Sequence, residues 1–229
     1  MPSASTRDRV IDAALRAFGT RGYETTSLDA LATELGIRKQ SILYYFNSKE
    51  ALLDAVIDEA GDEMIASLER ALAGSAQGWD RVDAVVRSVF RLAARRPELL
   101  GLLREVSRLG PPAATRFTAI LGPFIERATG FLEEGMDAGL LRQQDARLLL
   151  LTSYSTIVGL ATEVEVLRAL GVEPTPRELV RQRTALLDFL QAALRPQDSA
   201  RGNGSVVRSP SGQAGRGPTA SPGLEDAVR

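Results

Sequence analysis

The chain has 229 residues, enough for one or two domains with a sizeable core, and its 44% apolar and 25% charged residues are typical of a globular protein. The net charge is −1, so a general basic character does not point to nucleic acid, and any DNA-binding interpretation must rest on local charge. Cys and His are absent, which excludes disulfides, the common zinc sites and imidazole-based catalysis, and we expect neither an enzyme nor a cofactor.

No apolar run approaches the length of a membrane span, and the first six residues are polar and do not resemble a signal peptide. From this pattern we expect a cytoplasmic protein that does not contact the membrane.

The N-terminal region reads as three short helices. The apolar residues from Val10 to Phe18 share one face of a first helix that Ser5 or Thr6 starts. A second helix, capped by Thr26 or Ser27, ends at Gly36. A third helix is expected over residues 38–45.

Longer helices follow. Asn47 or Ser48 is expected to cap a fourth helix over residues 48–73, with Glu50 as the capping-box partner of Asn47. The fifth ends or kinks at Pro97, and the sixth covers residues 98–109. A seventh, over 113–138, has a predicted irregularity at Gly122 and Pro123. The eighth and ninth cover residues 145–170 and 175–194.

These elements predict an all-α protein of about nine helices. Residues 1–48 form a three-helix unit, the fourth helix connects, and residues 49–195 form a larger helical domain. Residues 196–229 are rich in Gly, Ser, Pro and Ala and lack aromatic side chains, so we predict a disordered tail.

The informative segment is residues 25–49, TTSLDALATELGIRKQSILYYFNSK, whose two short helices joined at Gly36 have the layout of a helix-turn-helix. At 100° per residue, Gln40, Ser41, Tyr44 and Tyr45 fall in one arc of about 140°, opposite Ile42, Leu43 and Phe46. Lys39 falls in the apolar arc, so it either extends outward or precedes the regular helix. Arg38, Lys39 and Lys49 have no acidic residue among them, which makes this window locally positive.

The run AALRAFGTRGYETTSLDALATELGIRKQSILYYFNSKEALL, at residues 13–53, closely resembles the DNA-binding domain of the tetracycline-repressor (TetR) family of bacterial transcription regulators. The resemblance implies a homodimeric, ligand-responsive regulator, which we expect to be a repressor that binds a palindromic operator in double-stranded DNA through the helix at residues 38–45. Together with the local charge, it makes these residues candidate DNA contacts: Thr26, Ser27, Arg38, Lys39, Gln40, Ser41, Tyr44, Tyr45 and Lys49.

In TetR-like proteins the helices after the fourth usually enclose an apolar pocket for a small-molecule effector, and the last two long helices pair with a twofold mate. The candidate pocket residues are Phe90, Leu103, Arg104, Phe117, Leu121, Phe124 and Tyr154, for which plain core packing is the alternative. The candidate dimer seam comprises Leu148, Leu151, Ser155, Val158, Gly159, Thr162, Leu186, Leu190 and Ala193.

Two other functions stay open at this point: an all-helical small-molecule carrier or enzyme with a structural N-terminal unit, and a dimeric interaction module that does not bind DNA. The absence of His, Cys and clustered acid pairs weighs against catalysis.

Overall fold

The computed structural model describes residues 5–73, 78–162, 164–173 and 175–196. Within these ranges the chain is all-helical, as predicted, with ten helices and no strand. The helices are α1 (Thr6–Arg21), α2 (Leu28–Leu35), α3 (Lys39–Tyr45), α4 (Lys49–Ala73), α5 (Trp79–Arg95), α6 (Pro97–Leu109), α7 (Ala113–Asp137), α8 (Ala146–Thr162), α9 (Val164–Ala169) and α10 (Pro176–Leu194). The predicted tail lies outside the described residues apart from Pro196, and the division into two helical domains stays a prediction.

Local capping signals explain where several helices begin. Ser5 caps α1 in a full capping box with Asp8, and Thr175 caps α10 by accepting from the Glu178 backbone N–H. Pro97 occupies the first turn of α6, where its missing N–H costs nothing.

Two helix predictions concern α7 and the helices after it. Residues 145–170, predicted as one helix, contain α8 and α9, and residue 163 between them lies outside the described residues, so a single helix there stays a prediction. The predicted irregularity at Gly122 and Pro123 does not divide α7, which runs on as one helix of 25 residues.

The largest hydrophobic cluster joins the N-terminal helices to the rest of the protein. It contains buried residues of α1, α2, α3, α4, α6 and α7, including Phe18, Leu31, Ile42, Leu102 and Phe117. A second cluster lies between α5, α8 and α10, and a third surrounds the end of α7. The N-terminal unit is therefore packed directly on α4 and α6.

Helices α1 and α6 cross at glycine, which lets their backbones touch. A Cβ on Gly101 would lie 2.0 Å from the Gly19 carbonyl oxygen, and a Cβ on Gly19 would lie 2.1 Å from the Glu98 carbonyl oxygen. No side chain fits at either position without separating the helices. The close approach allows Leu99, Leu102 and Val106 of α6 to join the same buried cluster as α1.

An arginine at the α5–α6 junction reinforces this crossing. The Arg96 guanidinium lies 3.3 Å from an Asp12 carboxylate oxygen on α1 and 3.2 Å from Glu63 on α4, and its Nε donates to Glu98 at 2.5 Å. The pKa of Arg96 is raised above its ordinary value. Partial burial opposes the shift, but the hydrogen bond that Arg96 donates to Glu98 and the charges of Glu63, Glu98 and Asp12 outweigh it. One cation thus holds three helices together.

We expect Gly101→Ala to destabilise the protein by about 1–3 kcal/mol or more, because the new methyl group overpacks a backbone contact. Gly130→Ala on α7 is the matched control, since nothing lies within 4 Å of its Cβ position and Ala is favoured over Gly within a helix by about 0.5–1 kcal/mol. Urea unfolding followed by circular dichroism measures both. Equal stability of the two variants would contradict the close α1–α6 crossing.

Candidate nucleic-acid interface

The turn between α2 and α3 has the geometry that the sequence predicts. Ser27 caps α2 through its side-chain oxygen, which accepts from the Ala30 backbone N–H at 3.1 Å. Gly36 ends α2 in the left-handed conformation, with φ of 66°, and its N–H bonds back to Ala32 and Thr33. Three residues later α3 begins at Lys39, so the two helices form a helix-turn-helix.

Helix α3 has a buried face and an exposed face, and this prediction is confirmed. Ile42 is fully buried and Phe46 nearly so, in one cluster with Leu31 of α2. On the other side Tyr44 is 83% exposed, and Gln40 and Tyr45 are also exposed. Ser41 is half-buried between the two faces. The apolar anchor therefore leaves amide, hydroxyl and phenol groups pointing outward.

The cations near α3 are held by contacts that span the elements of this unit. The Lys39 Nζ lies 2.8 Å from an Asp29 carboxylate oxygen of α2, so Lys39, the first residue of α3, extends to the surface. The Lys49 Nζ lies 4.0 Å from the centre of the Tyr23 ring, a cation–π contact. Arg38 is exposed just before α3, and the Arg7 guanidinium lies 5.7 Å from the Phe46 ring centre.

The structure corrects the prediction that the Thr26 side chain contacts DNA. Its side chain is 2% exposed, and its hydroxyl donates to the Gly22 carbonyl at 2.9 Å. The threonine thus closes the α1–α2 turn and its side chain cannot reach DNA. Ser27 is exposed, although its oxygen is already engaged as the α2 cap.

The structure also corrects the predicted capping box at the N-terminus of α4. Ser48 caps it by accepting from the Ala51 backbone N–H at 3.1 Å, so the predicted capping box between Asn47 and Glu50 is wrong. Glu50 is held instead by its own backbone N–H and by Ser48, which lower the pKa of its carboxyl group. Lys49 is thereby the first residue of α4.

Tyr23 is the buried aromatic residue of the α1–α2 turn. Its ring contacts Phe18 edge to face at a centroid distance of 5.3 Å. Burial, followed by the negative charge of Glu50, raises the pKa of Tyr23 to about 12. Its backbone N–H donates to Oε1 of Glu105, a residue of α6, at 2.7 Å.

The predicted effector residues are not gathered in one place. Phe90 is buried in the cluster of α5, α8 and α10, whereas Leu103 and Phe117 belong to the large N-terminal cluster, with Leu121 packed against it. Phe124 is half-buried beneath the Arg127 guanidinium, and Tyr154 is exposed. Arg104 is exposed on the outer side of α6, so placing it inside an apolar pocket is wrong.

The predicted dimer seam is divided by the structure. On α8, Leu148, Leu151 and Ser155 are exposed and Gly159 is half-buried, while the side chains of Val158 and Thr162 lie outside what the structure describes. On α10, Leu186 and Leu190 are buried against Val86, Phe90 and Ile157 of their own chain, so assigning them to the seam is wrong. Ala193 is half-buried, and its carbonyl accepts from Gln144 at 3.4 Å.

Sequence reasoning missed Asp29 and Glu105, which hold the Lys39 side chain and the Tyr23 backbone. Both act from another helix, and no local pattern marks them. Among the described residues, no group of three or more acidic side chains could hold a metal ion. No helix in the described ranges is long and apolar enough to cross a membrane.

Comparison with known proteins agrees with the helix-turn-helix geometry of the N-terminal unit. Residues 10–56 match the family model of bacterial regulatory proteins of the tetR family. The chain is 24% identical over 151 residues to the fatty acid metabolism regulator protein of Bacillus subtilis, covering 65% of this chain and 78% of that protein. It is 33% identical over 108 residues to the regulator RutR of Escherichia coli, covering 47% of this chain and 44% of RutR.

A solved structure extends the likeness beyond the N-terminal unit. The transcriptional regulator FadR of Bacillus subtilis, in complex with stearoyl-CoA, superposes with a TM-score of 0.67 at 22% identity. The match covers 81% of this chain and 97% of the FadR chain.

The fold and the exposed face of α3 define a helix-turn-helix transcriptional regulator. Residues 10–56 carry the DNA-binding domain of the tetR family of bacterial regulatory proteins.

The raised pKa of Tyr23 predicts a loss of stability in alkali. Because the folded state holds the phenol proton to about pH 12 and an unfolded tyrosine releases it near 10, the stabilisation is complete below pH 10 and disappears as the pH rises toward 12. The free energy of unfolding of the wild type should therefore fall relative to that of Tyr23→Phe above pH 10. Parallel curves for the two proteins would show that the hydroxyl is not held in this environment.

Proposed function

We propose that the protein is a homodimeric repressor that binds a palindromic operator through α3 and is released by a small-molecule effector. The observation that carries the proposal is the exposed face of α3, where Tyr44 is 83% exposed opposite a fully buried Ile42. This face presents two exposed aromatic rings, Tyr44 and Tyr45, beside the exposed amide of Gln40. The base edges and phosphates of a major groove suit its mixed polar and aromatic character.

The exposed residues divide by chemistry into two roles. The Gln40 amide can donate and accept, which suits base edges, whereas Arg38, Lys39 and the Tyr44 hydroxyl suit phosphates. Lys49 stands at the N-terminus of α4, where a cation is unfavourable for the helix unless an anion is nearby. A DNA phosphate there would accept from the Lys49 ammonium group.

Exposed apolar residues on α8 and α10 support dimerisation. Leu148, Leu151 and Ser155 recur three and four residues apart and so form one stripe on α8. Phe189 of α10 is also exposed, at 57%. We place the seam on these residues, with Phe189 replacing the buried Leu186 and Leu190. Two protomers then present α3 to half-sites about 34–36 Å apart, which calls for a palindrome.

The helical domain gives the regulator a route of control. FadR of Bacillus subtilis holds stearoyl-CoA in the same fold, which supports a small-molecule effector here. An effector changes DNA affinity only if it binds the two conformations of the dimer unequally. Helix α4 runs from Lys49 to Ala73 and is tied to α7 by ion pairs of Arg116 with Asp58 and of Arg127 with Glu69. A tilt of α4 would change the separation of the two α3 helices. A regulator that binds chromosomal DNA acts in the bacterial cytoplasm.

Lys49→Ala should weaken binding to operator and unrelated DNA alike, because its expected target is a phosphate. The slope of log K against log salt should fall by about one unit. Arg142→Ala removes the same charge from an exposed residue between α7 and α8 and is the matched control. Fluorescence anisotropy at several salt concentrations measures both, and equal slopes for the two variants would remove Lys49 from the interface.

Leu151→Asp should convert the dimer to monomer and abolish tight operator binding, since a carboxylate cannot be buried unpaired in an apolar seam. Leu140→Asp is the control, because Leu140 is similarly exposed but lies in the turn after α7. Light scattering gives the mass of each variant. A Leu151→Asp dimer of wild-type affinity would place the seam elsewhere, and a wild-type dimer that bound no DNA would favour an interaction module.

A further inference from the structure

The α1–α2 turn is attached to α6 by a carboxylate. Glu105 of α6 accepts the Tyr23 backbone N–H at 2.7 Å, across 82 residues of sequence. Its side chain is 11% exposed, and Arg108 donates to its two oxygens at 2.8 and 2.9 Å. Bonds to Arg108 and to the Tyr23 N–H lower the pKa of Glu105, so it is a carboxylate at neutral pH. The turn therefore has a fixed, charged partner on the helical domain.

The backbone at the turn is shaped for this contact. Gly22 has a φ of 93°, a conformation that L side chains rarely adopt, and a Cβ there would lie 3.4 Å from the nearer Glu105 oxygen. The positive φ of the glycine turns the chain so that the next N–H faces the carboxylate. The contact is built from both sides, by Gly22 on the turn and by Arg108 on α6.

The same residue that Glu105 holds also carries the Lys49 side chain. The Tyr23 ring is fixed on one side by Phe18, and the Lys49 Nζ lies 4.0 Å from its centre. A lysine side chain is flexible and has many rotamers, so a ring under its ammonium group selects among them. A continuous set of contacts therefore runs from Glu105 on α6, through Tyr23, to the first residue of α4.

We propose that Glu105 is a positioning residue for DNA binding: by fixing Tyr23 it holds Lys49 where it meets a phosphate. The inference rests on the proposed function, in which Lys49 contacts DNA. It adds that α6, a helix with no predicted DNA contact, sets the strength of that contact. Because Lys49 meets phosphate, a change at Glu105 alters affinity for every DNA sequence and leaves base preference, which belongs to α3, unchanged.

The test compares four variants of α6 in the full-length protein. Glu105→Ala removes the acceptor for the Tyr23 N–H, and Glu105→Gln keeps a neutral oxygen there. Glu98→Ala is the matched control, since Glu98 is a similarly buried carboxylate of α6 whose partner is Arg96 and not Tyr23. Arg108→Ala removes an exposed side chain that orients Glu105, and it serves if Glu105→Ala does not fold.

Operator and unrelated DNA are titrated by anisotropy over a range of salt. We expect Glu105→Ala to lose about two- to fivefold in affinity for both DNAs, the ratio that a cation–π contact of this kind supports. Glu105→Gln should recover most of the loss, Arg108→Ala should show part of it, and Glu98→Ala should show none. In the double variant with Lys49→Ala, the Glu105→Ala change should cost nothing further, because both act through one contact.

A measurement without DNA follows the lysine directly. The Tyr23 ring current should shift the Lys49 ε-CH₂ protons upfield in the NMR spectrum of the wild type. We expect Glu105→Ala to reduce this shift and Glu98→Ala to leave it in place. An unchanged shift in Glu105→Ala overturns the inference, as does a loss of affinity that adds in full to that of Lys49→Ala. Failure of the wild type to bind any DNA is a different result, which overturns the proposed function itself.

Discussion

The backbone contact between Gly19 of α1 and Gly101 of α6 is the constraint on which the rest of the structure depends. Two helices that touch at glycine behave as one packed unit, because neither can rotate without separating the buried side chains around the crossing. Helix α1 supports α2 and α3, so the crossing joins the helix-turn-helix to the helical domain. Arg96 and Glu105 lie on either side of it and add polar contacts to α1 and to the turn that follows. The exposed face of α3 is therefore connected to α6 through packed side chains.

Much of this fold could be predicted from sequence because its signals are local. Ser5, Ser27 and Gly36 mark helix ends through bonds within a few residues, and the two faces of α3 follow from its period. The prediction that Thr26 contacts DNA was wrong because its hydroxyl closes a turn. A capping pattern in the sequence does not distinguish this role from a surface role. The predictions of Arg104 in the effector pocket and of Leu186 in the dimer seam were wrong for a different reason. Periodicity shows that a helix has an apolar face but not which neighbour covers it.

In the candidate site, the sequence predicts the sign of the local charge but not the positions of the charged side chains. A window of three cations without acids predicts the sign of the local field, and the family match agrees with it. The positions of the charges depend on distant residues: Lys39 is drawn to Asp29 on α2, and Lys49 rests on Tyr23, whose backbone is held by α6. A protein with a net charge of −1 can present such a surface because its acids are paired or lie elsewhere. Tertiary contacts, not composition, place the charge.

The central claim is that a dimer reads DNA with two copies of α3, and selection from a random double-stranded DNA library by the purified protein tests it most directly. The account predicts enrichment of an inverted repeat whose half-site centres are about one helical turn, 10–10.5 base pairs, or a whole multiple of it, apart. The repeat should disappear from a selection carried out with a monomeric variant. Enrichment of a single unpaired motif, or of none, would contradict it.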